Sequence, residues 1–327
     1  MRKLITLILL LLFTTTLISC EEQPPVYKGD EAILDVNMER GVGILGTVSI
    51  TDLQAIHRYF RYSDTVPLSI NPLWRLMQWG TRYNFRDYGS ESIDGDYFVI
   101  SDSTKEFKVN PKTGEYQLNA FTALEYPEPR VFGEPWLHLA SQQRVVDVAR
   151  VDEMNHIWAD LDFEITASEN LMGSNFNPDL HTALFQWVFI VKNENMDSLD
   201  YGQYIWVNIP YFDARYDFNE EDAFLDFGKD DKSDTFIYSA SSRDVLNNKK
   251  INVGERRRVT IDLKTYIEKA LKTIQELPAN LNSQNPILLN TILSDLRIED
   301  FYIGWEIPGT FNASATIYSN SLKYDRV

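Results

Sequence analysis

Two nearly continuous apolar runs constrain this chain more than any other feature. Leu184 to Lys192 reads LFQWVFIVK and Tyr204 to Pro210 reads YIWVNIP. Both are rich in aromatic and β-branched residues, which fit a pleated, buried surface better than a helix. Runs this long and this apolar suit strands covered on both faces or lining a groove. More short strands are expected at Tyr97–Ile100, Glu106–Val109, Asp160–Thr166, Thr235–Ser239, Arg258–Leu263, Phe301–Ile307 and Ala313–Tyr324. Between Val109 and Tyr116, the Asn110-Pro111-Lys112-Thr113-Gly114-Glu115 segment carries strong turn chemistry and predicts a hairpin. Many short strands separated by polar turns predict an all-β protein, a jelly-roll β-sandwich.

Helical periodicity interrupts the strands in three places. Leu263, Tyr266, Ile267, Ala270, Leu271 and Ile274 fall on one stripe, and Pro278 ends the run. A shorter helix is expected over Asn290–Leu296, so the helical insert spans about 263–296. A third stripe, Leu53, Ile56, His57 and Phe60, predicts a helix from Ser49 to Tyr62 with Thr51 as its cap.

The N-terminus sets the expected compartment. Arg2 and Lys3 precede an apolar stretch from Leu4 to about Ile18, the layout of a secretory signal. The stretch is short for a membrane span, which needs ~20 apolar residues. Leu17-Ile18-Ser19-Cys20 resembles the lipobox of bacterial lipoproteins, and that resemblance implies lipidation at Cys20. Cys20 is the only cysteine, so no internal disulfide can form. Glu21-Glu22 after it resembles the surface-export signal of Bacteroidota lipoproteins. The expected organisation is a signal peptide at 1–19, a lipidated tether at 20–30, a lead-in at 31–66 and the sandwich at 67–327. An exported chain anchored to the outer membrane at the cell surface follows.

The formal net charge is -17, and -19 once Arg2 and Lys3 leave with the leader. That much negative charge argues against nucleic acid and bulk anionic polysaccharide as partners. Some 300 residues bury about three quarters of their unfolded surface, enough for one large core without staples.

Three constellations carry candidate chemistry. Asp160, Asp162 and Glu164 share one strand face, with neighbouring Cα atoms ~6.6 Å apart. Leaning carboxyl groups could reach the ~5–5.5 Å of a retaining glycosidase pair. The spacing is similar to the E-x-D-x-E strand of laminarinase-type jelly-roll glycoside hydrolases, although Asp160 stands where that family has its Glu nucleophile. An acidic, solvated strand face is the alternative. Trp136 and His138 share a face if their segment is a strand, a pairing that can stack on a sugar ring and bond its hydroxyls. The third set joins Gln186 or Trp187, which face opposite sides, to Trp206, Tyr211, Asp213, Arg215 and Tyr216. A packed core ending in a surface ion pair is the alternative there.

No cofactor is expected. The Asp226–Asp234 loop clusters oxygens of a kind that Ca²⁺ accepts, but Lys229 and Lys232 oppose it. His57, His156 and His181 lack the spacing of a zinc site.

The segments Gly133–His138, Asp200–Trp206 and Gly304–Gly309, leading into the strand Ile317–Tyr324, resemble the concanavalin-like, carbohydrate-binding jelly-roll modules of exported Bacteroidota proteins. The resemblance implies a glycan or polysaccharide as partner. Trp136, Trp206, Tyr211 and Trp305 would then stack, while His138, Gln186, Asp213, Arg215 and Glu306 would hydrogen-bond. Two other readings stay open. One is a polysaccharide hydrolase or lyase using Asp162, Glu164 or Glu306, and the other is an assembly lipoprotein with no small-molecule site.

Overall fold

The computed structural model describes residues 27–47, 55–62, 66–146, 148–226, 235–282 and 284–327. The leader, Cys20, Glu21-Glu22 and loop residues 227–234 lie outside the described residues. In chain order the strands are β1 (Asp30–Glu31), β2 (Val42–Leu45), β3 (Ile56–Phe60), β4 (Trp74–Met77), β5 (Ser90–Asp94) and β6 (Tyr97–Ser101). Next come β7 (Lys105–Asn110), β8 (Glu115–Phe121), β9 (Leu137–Arg144), β10 (Met154–Asn170), β11 (Leu184–Asn193) and β12 (Tyr204–Asp213). The last are β13 (Asp222–Leu225), β14 (Phe236–Ser239), β15 (Arg256–Asp262), β16 (Leu296–Ile307) and β17 (Phe311–Arg326).

They form two sheets. One has eight strands in the order β15-β10-β17-β8-β7-β6-β5, with β1 also paired to β17; the other has nine, in the order β13-β14-β12-β11-β16-β9-β4-β2-β3. From β8 to β11, and again from β15 to β17, the chain alternates between the sheets at each strand. That alternation is the hallmark of a jelly-roll β-sandwich, as expected from the strand pattern. Most ladders are antiparallel; β12–β14 and β2–β4 are parallel.

The core lies between the sheets, where Trp74, Trp187, Trp305, Phe107, Phe163 and Phe185 are fully buried. Trp187 stacks on Phe189 at 4.8 Å and meets Phe301 edge-on at 5.7 Å. The helix Leu263–Glu276 turns Leu263, Ile267, Ala270, Leu271 and Ile274 inward. Asp262 caps it by accepting from the Lys264 N–H at 3.2 Å, and Pro278 follows it as predicted.

Two helical expectations need correction. Residues 56–60, placed in a helix by their stripe, form β3 and pair with β2. The edge of β2 presents ladder groups that β3 satisfies, and Ile56 packs over Gly43, where a Cβ would come within 3.0 Å of it. Asn290–Leu296 contains only the short 3₁₀ turn Leu293–Asp295. The Asp295 carboxylate takes the Ile292 N–H at 3.0 Å, and the chain extends at once into β16.

Candidate functional site

Alternation along the nine-stranded sheet sends one set of side chains into the core and the other outward. On β16, Phe301, Ile303 and Trp305 point inward while Tyr302, Gly304 and Glu306 point outward. On β9 the outward set is His138, Ala140, Gln142 and Arg144, and on β11 it is Leu184, Gln186, Val188 and Ile190. On β12 it includes Trp206 and Asn208. Register aligns these positions: Glu306 sits opposite Leu184 and His138, Gly304 opposite Gln186 and Ala140, and Tyr302 opposite Val188 and Gln142.

Glu306 is the centre of this outer face. Its Oε1 accepts from Gln186 Nε2 at 2.8 Å and from the Tyr302 hydroxyl at 3.2 Å. His138 Nε2 stands 3.7 Å from Oε2. Burial, and then the neighbouring Glu306 carboxylate, holds the Tyr302 hydroxyl well above its ordinary pKa, so it stays a proton donor. Aromatic rings line the same outer face. Trp136 stacks on His138 at 5.6 Å, Trp79 lies 5.7 Å from His138 and 6.4 Å from Tyr302, and Trp206 meets Tyr302 edge-on at 6.5 Å. Trp79, Trp136 and Trp206 are half-buried. The Arg130 guanidinium lies 4.8 Å over Trp136.

Backbone geometry fixes the two tryptophans at this end. Gly80 has φ of +67°, and a Cβ there would fall 2.0 Å from the Trp136 carbonyl oxygen. Only glycine lets the turn after Trp79 approach Trp136 so closely. The His138 N–H donates to the Trp79 carbonyl at 2.9 Å and closes the contact.

Further along the same face, the buried Arg75 pairs with Asp300. Burial pushes the Asp300 carboxyl up to about 6, against the pull of Arg75.

Several expected site residues thus come together: Trp136, His138, Gln186, Trp206 and Glu306. Two do not. Trp305 and Tyr211 face the core and are almost fully buried, which corrects their assignment as stacking surfaces. The Trp305 indole donates to the Leu118 carbonyl at 3.1 Å, and Tyr211 packs on Phe163 at 5.2 Å. Parity explains both, because each alternates with the outward residues of its strand.

Asp213 and Arg215 lie at the rim where β12 ends. Asp213 is 3% exposed and accepts from Thr182 at 2.6 Å, from Asn219 at 2.8 Å and from Arg215 at 2.7 Å. These donors outweigh burial and hold its carboxyl below the usual range. The pair braces the 213–219 turn beside a small cavity of about 180 Å³ lined by Tyr216, Asn219 and Ser242.

The acidic strand face forms as predicted, but on the other sheet. Asp160, Asp162 and Glu164 point outward from β10. Arg258 grips Asp160 at 2.9 Å, Arg256 grips Asp162 through two contacts of 2.8 Å, and Tyr318 donates to Glu164 at 2.9 Å. These carboxylates form a cross-strand ladder with the arginines of β15. Among the described residues no cluster of three or more His, Cys, Asp or Glu could hold a metal ion.

No protein-family model matches the chain, and no curated protein matches it either. Solved structures do. An endoglucanase from Rhodothermus marinus is 10% identical, with 77% of this chain and 99% of that chain covered and a TM-score of 0.38. A family 12 xyloglucanase from Bacillus licheniformis is 8% identical, with 73% and 98% covered and a TM-score of 0.41. A family 11 xylanase from Neocallimastix patriciarum is 6% identical, with 73% and 96% covered and a TM-score of 0.38.

Proposed function

We propose that the outer face of the nine-stranded sheet binds a glycan. The observation that carries this reading is the Glu306 centre: a carboxylate, an amide and an imidazole beside the half-buried Trp79 and Trp136, with Trp206 further along the same face against Tyr302. Sugar rings present apolar C–H faces that stack on indoles and hydroxyl edges that need fixed polar partners. Affinity electrophoresis through gels containing polysaccharide tests it. Retardation by at least one polysaccharide, lost in Trp206→Ala, is the expected result.

Binding is favoured over cleavage. A retaining hydrolase needs a second carboxyl ~5–5.5 Å from the first. The ladder neighbours of Glu306 are Leu184 and His138, and its closest hydrogen-bond partner is the Gln186 amide, which cannot supply a proton at neutral pH. Asp162 and Glu164 stand on the opposite sheet, held by Arg256 and Tyr318.

The proposal extends to location. The lipobox at Leu17–Cys20 supports export and lipid anchoring, with the sandwich held at the outer membrane surface by the short tether that follows. Metabolic labelling with a fatty acid tests this, and loss of label in Cys20→Ser is expected.

A further inference from the structure

Two loops at one end of the sandwich hold large apolar side chains out into solvent. The loop between β11 and β12 exposes Met196 (77%), Leu199 (86%) and Tyr201, and the segment before β16 exposes Leu289 and Ile292 (61%). Both loops are pinned from beneath. The buried Asp200 carboxylate takes the Asn290 N–H at 2.6 Å and the Thr291 hydroxyl at 3.0 Å. Asn193 Nδ2 donates to the Thr291 hydroxyl at 2.8 Å, Asn195 Nδ2 donates to Asp295 at 2.7 Å, and the Leu288 N–H donates to Gln203 at 2.6 Å. Buried polar groups thus hold the two loops together as one platform and leave its apolar side chains exposed. A patch of this kind marks an interaction surface.

The chain enters the sandwich at this same end. β1 runs antiparallel to β17, with Asp30 opposite Tyr324, so the chain ahead of Asp30 heads the way that β17 ends. There the Val327 N–H donates to the Glu153 carbonyl at 2.9 Å, Arg150 donates to the Ser294 carbonyl, and the Glu194 N–H donates to the Asp295 carbonyl at 2.8 Å. These contacts tie the entry point to the apolar platform. The seven residues from Cys20 to Tyr27 reach at most about 25 Å. The 16 residues of β17 run about 50 Å. A lipid on Cys20 therefore keeps this end, and not the opposite one, next to its bilayer.

We infer that the 196–201 loop and the 289–292 segment dip into the interfacial layer of the bilayer that carries the lipid anchor, so that the sandwich stands end-on. This rests on the proposed lipidation of Cys20 and adds an orientation to it. The occupant is zwitterionic phospholipid. Asp197 stands beside Met196 in the loop, and the net charge of -17 repels acidic headgroups. Burial of apolar side chains supplies the attraction, which salt does not screen as it screens exposed charges. Glu306 lies ten residues along β16 from Leu296, about 33 Å at ~3.3 Å per residue. End-on docking therefore turns the Glu306 centre away from the bilayer.

Fluorescence quenching on the lipidated full chain in phosphatidylcholine vesicles tests the orientation. Cys20 is the only cysteine, and lipidation takes its thiol. Leu199→Cys and Phe132→Cys therefore each supply one site for an environment-sensitive dye. Phe132 is exposed and precedes β9, at the opposite end. Nitroxide-bearing phospholipids should quench the Leu199→Cys dye at least ~threefold more than the Phe132→Cys dye, because an apolar segment buries ~5–10 Å into the interface. The difference should persist in high salt. A chain that floats with the vesicles but shows equal quenching, or none, at the two positions would overturn end-on docking and leave the anchor intact. So would loss of the difference in high salt. A chain that does not float with the vesicles would remove the anchor and the docking together.

Discussion

Glu306 illustrates how much a single residue's surroundings decide. Its carboxylate is fixed by Gln186 and Tyr302 and faces His138, and in the proposed function it accepts from ligand hydroxyls. Glu306→Ala should weaken glycan binding at least tenfold, measured by titration calorimetry, with the fold retained. Asp300 has a consequence for stability. Burial pushes its folded carboxyl up to about 6, above the ordinary aspartate value of 3.8. A raised acid contributes stability that is present below ~4 and lost as pH rises to ~6, on the order of 3 kcal/mol for a shift of this size. Denaturant melts of the wild type should therefore lose stability between pH 4 and 6, and Asp300→Asn should flatten that slope. Parity made much of this residue-scale picture legible: Gln186, Trp206, His138 and Glu306 share a face because they alternate with apolar partners. The same parity excludes Trp305 from a site containing Glu306, and it would have put Tyr302 beside Glu306 instead. Trp79 gave no periodic signal, because it lies beyond β4 in a turn that depends on Gly80.

At the scale of elements, strand contacts carry the site. Gly304 brings β16 against β9 so closely that a Cβ would fall 2.3 Å from the Leu139 carbonyl oxygen and 2.6 Å from the Ala140 Cα. Gly304→Ala should cost about 1–3 kcal/mol in denaturant titrations by forcing those strands apart. The ladder between β10 and β15 is different in kind. Arg256 and Arg258 are about half-exposed, and such pairs contribute ~0.2–1 kcal/mol each. Asp162→Ala should change the melting midpoint little and leave glycan binding unaffected. The acidic alternation on β10 was legible in the sequence, but its cross-strand partners were not, because pairing with β15 joins segments nearly a hundred residues apart. The helical expectation failed over residues 56–60 for a related reason: the open edge of β2 took them as a strand. Beyond the ladder, Lys105 and Asp102 form a fully buried pair at 2.6 Å, where β7 leaves its turn. Lys105 also donates to Thr81 at 3.1 Å. Lys105→Met would leave the buried Asp102 carboxylate without its counter-charge, held only by the Thr104 hydroxyl and two backbone N–H groups, and should cost about 3–5 kcal/mol, read as a large fall in melting temperature.

On the scale of the whole molecule, the two sheets have different duties. The eight-stranded sheet turns a ladder of ion pairs outward, and the nine-stranded sheet turns out a polar centre with tryptophans along the same face. The sandwich itself was legible from strand runs and turns, since period-two patterning decides fold class strongly. Which face would carry the site was not, because that depends on the order in which the strands assemble. The central claim is that glycans meet the nine-stranded sheet and not its partner. Trp158 provides the control, since it sits on the outer face of the eight-stranded sheet, stacked between Tyr27 at 4.4 Å and His156 at 4.8 Å. The most direct measurement is the polysaccharide affinity of Trp206→Ala beside that of Trp158→Ala, both folded as the wild type. Loss of binding in Trp206→Ala with wild-type binding in Trp158→Ala is the predicted result. Wild-type binding in Trp206→Ala, with loss in Trp158→Ala, would contradict it.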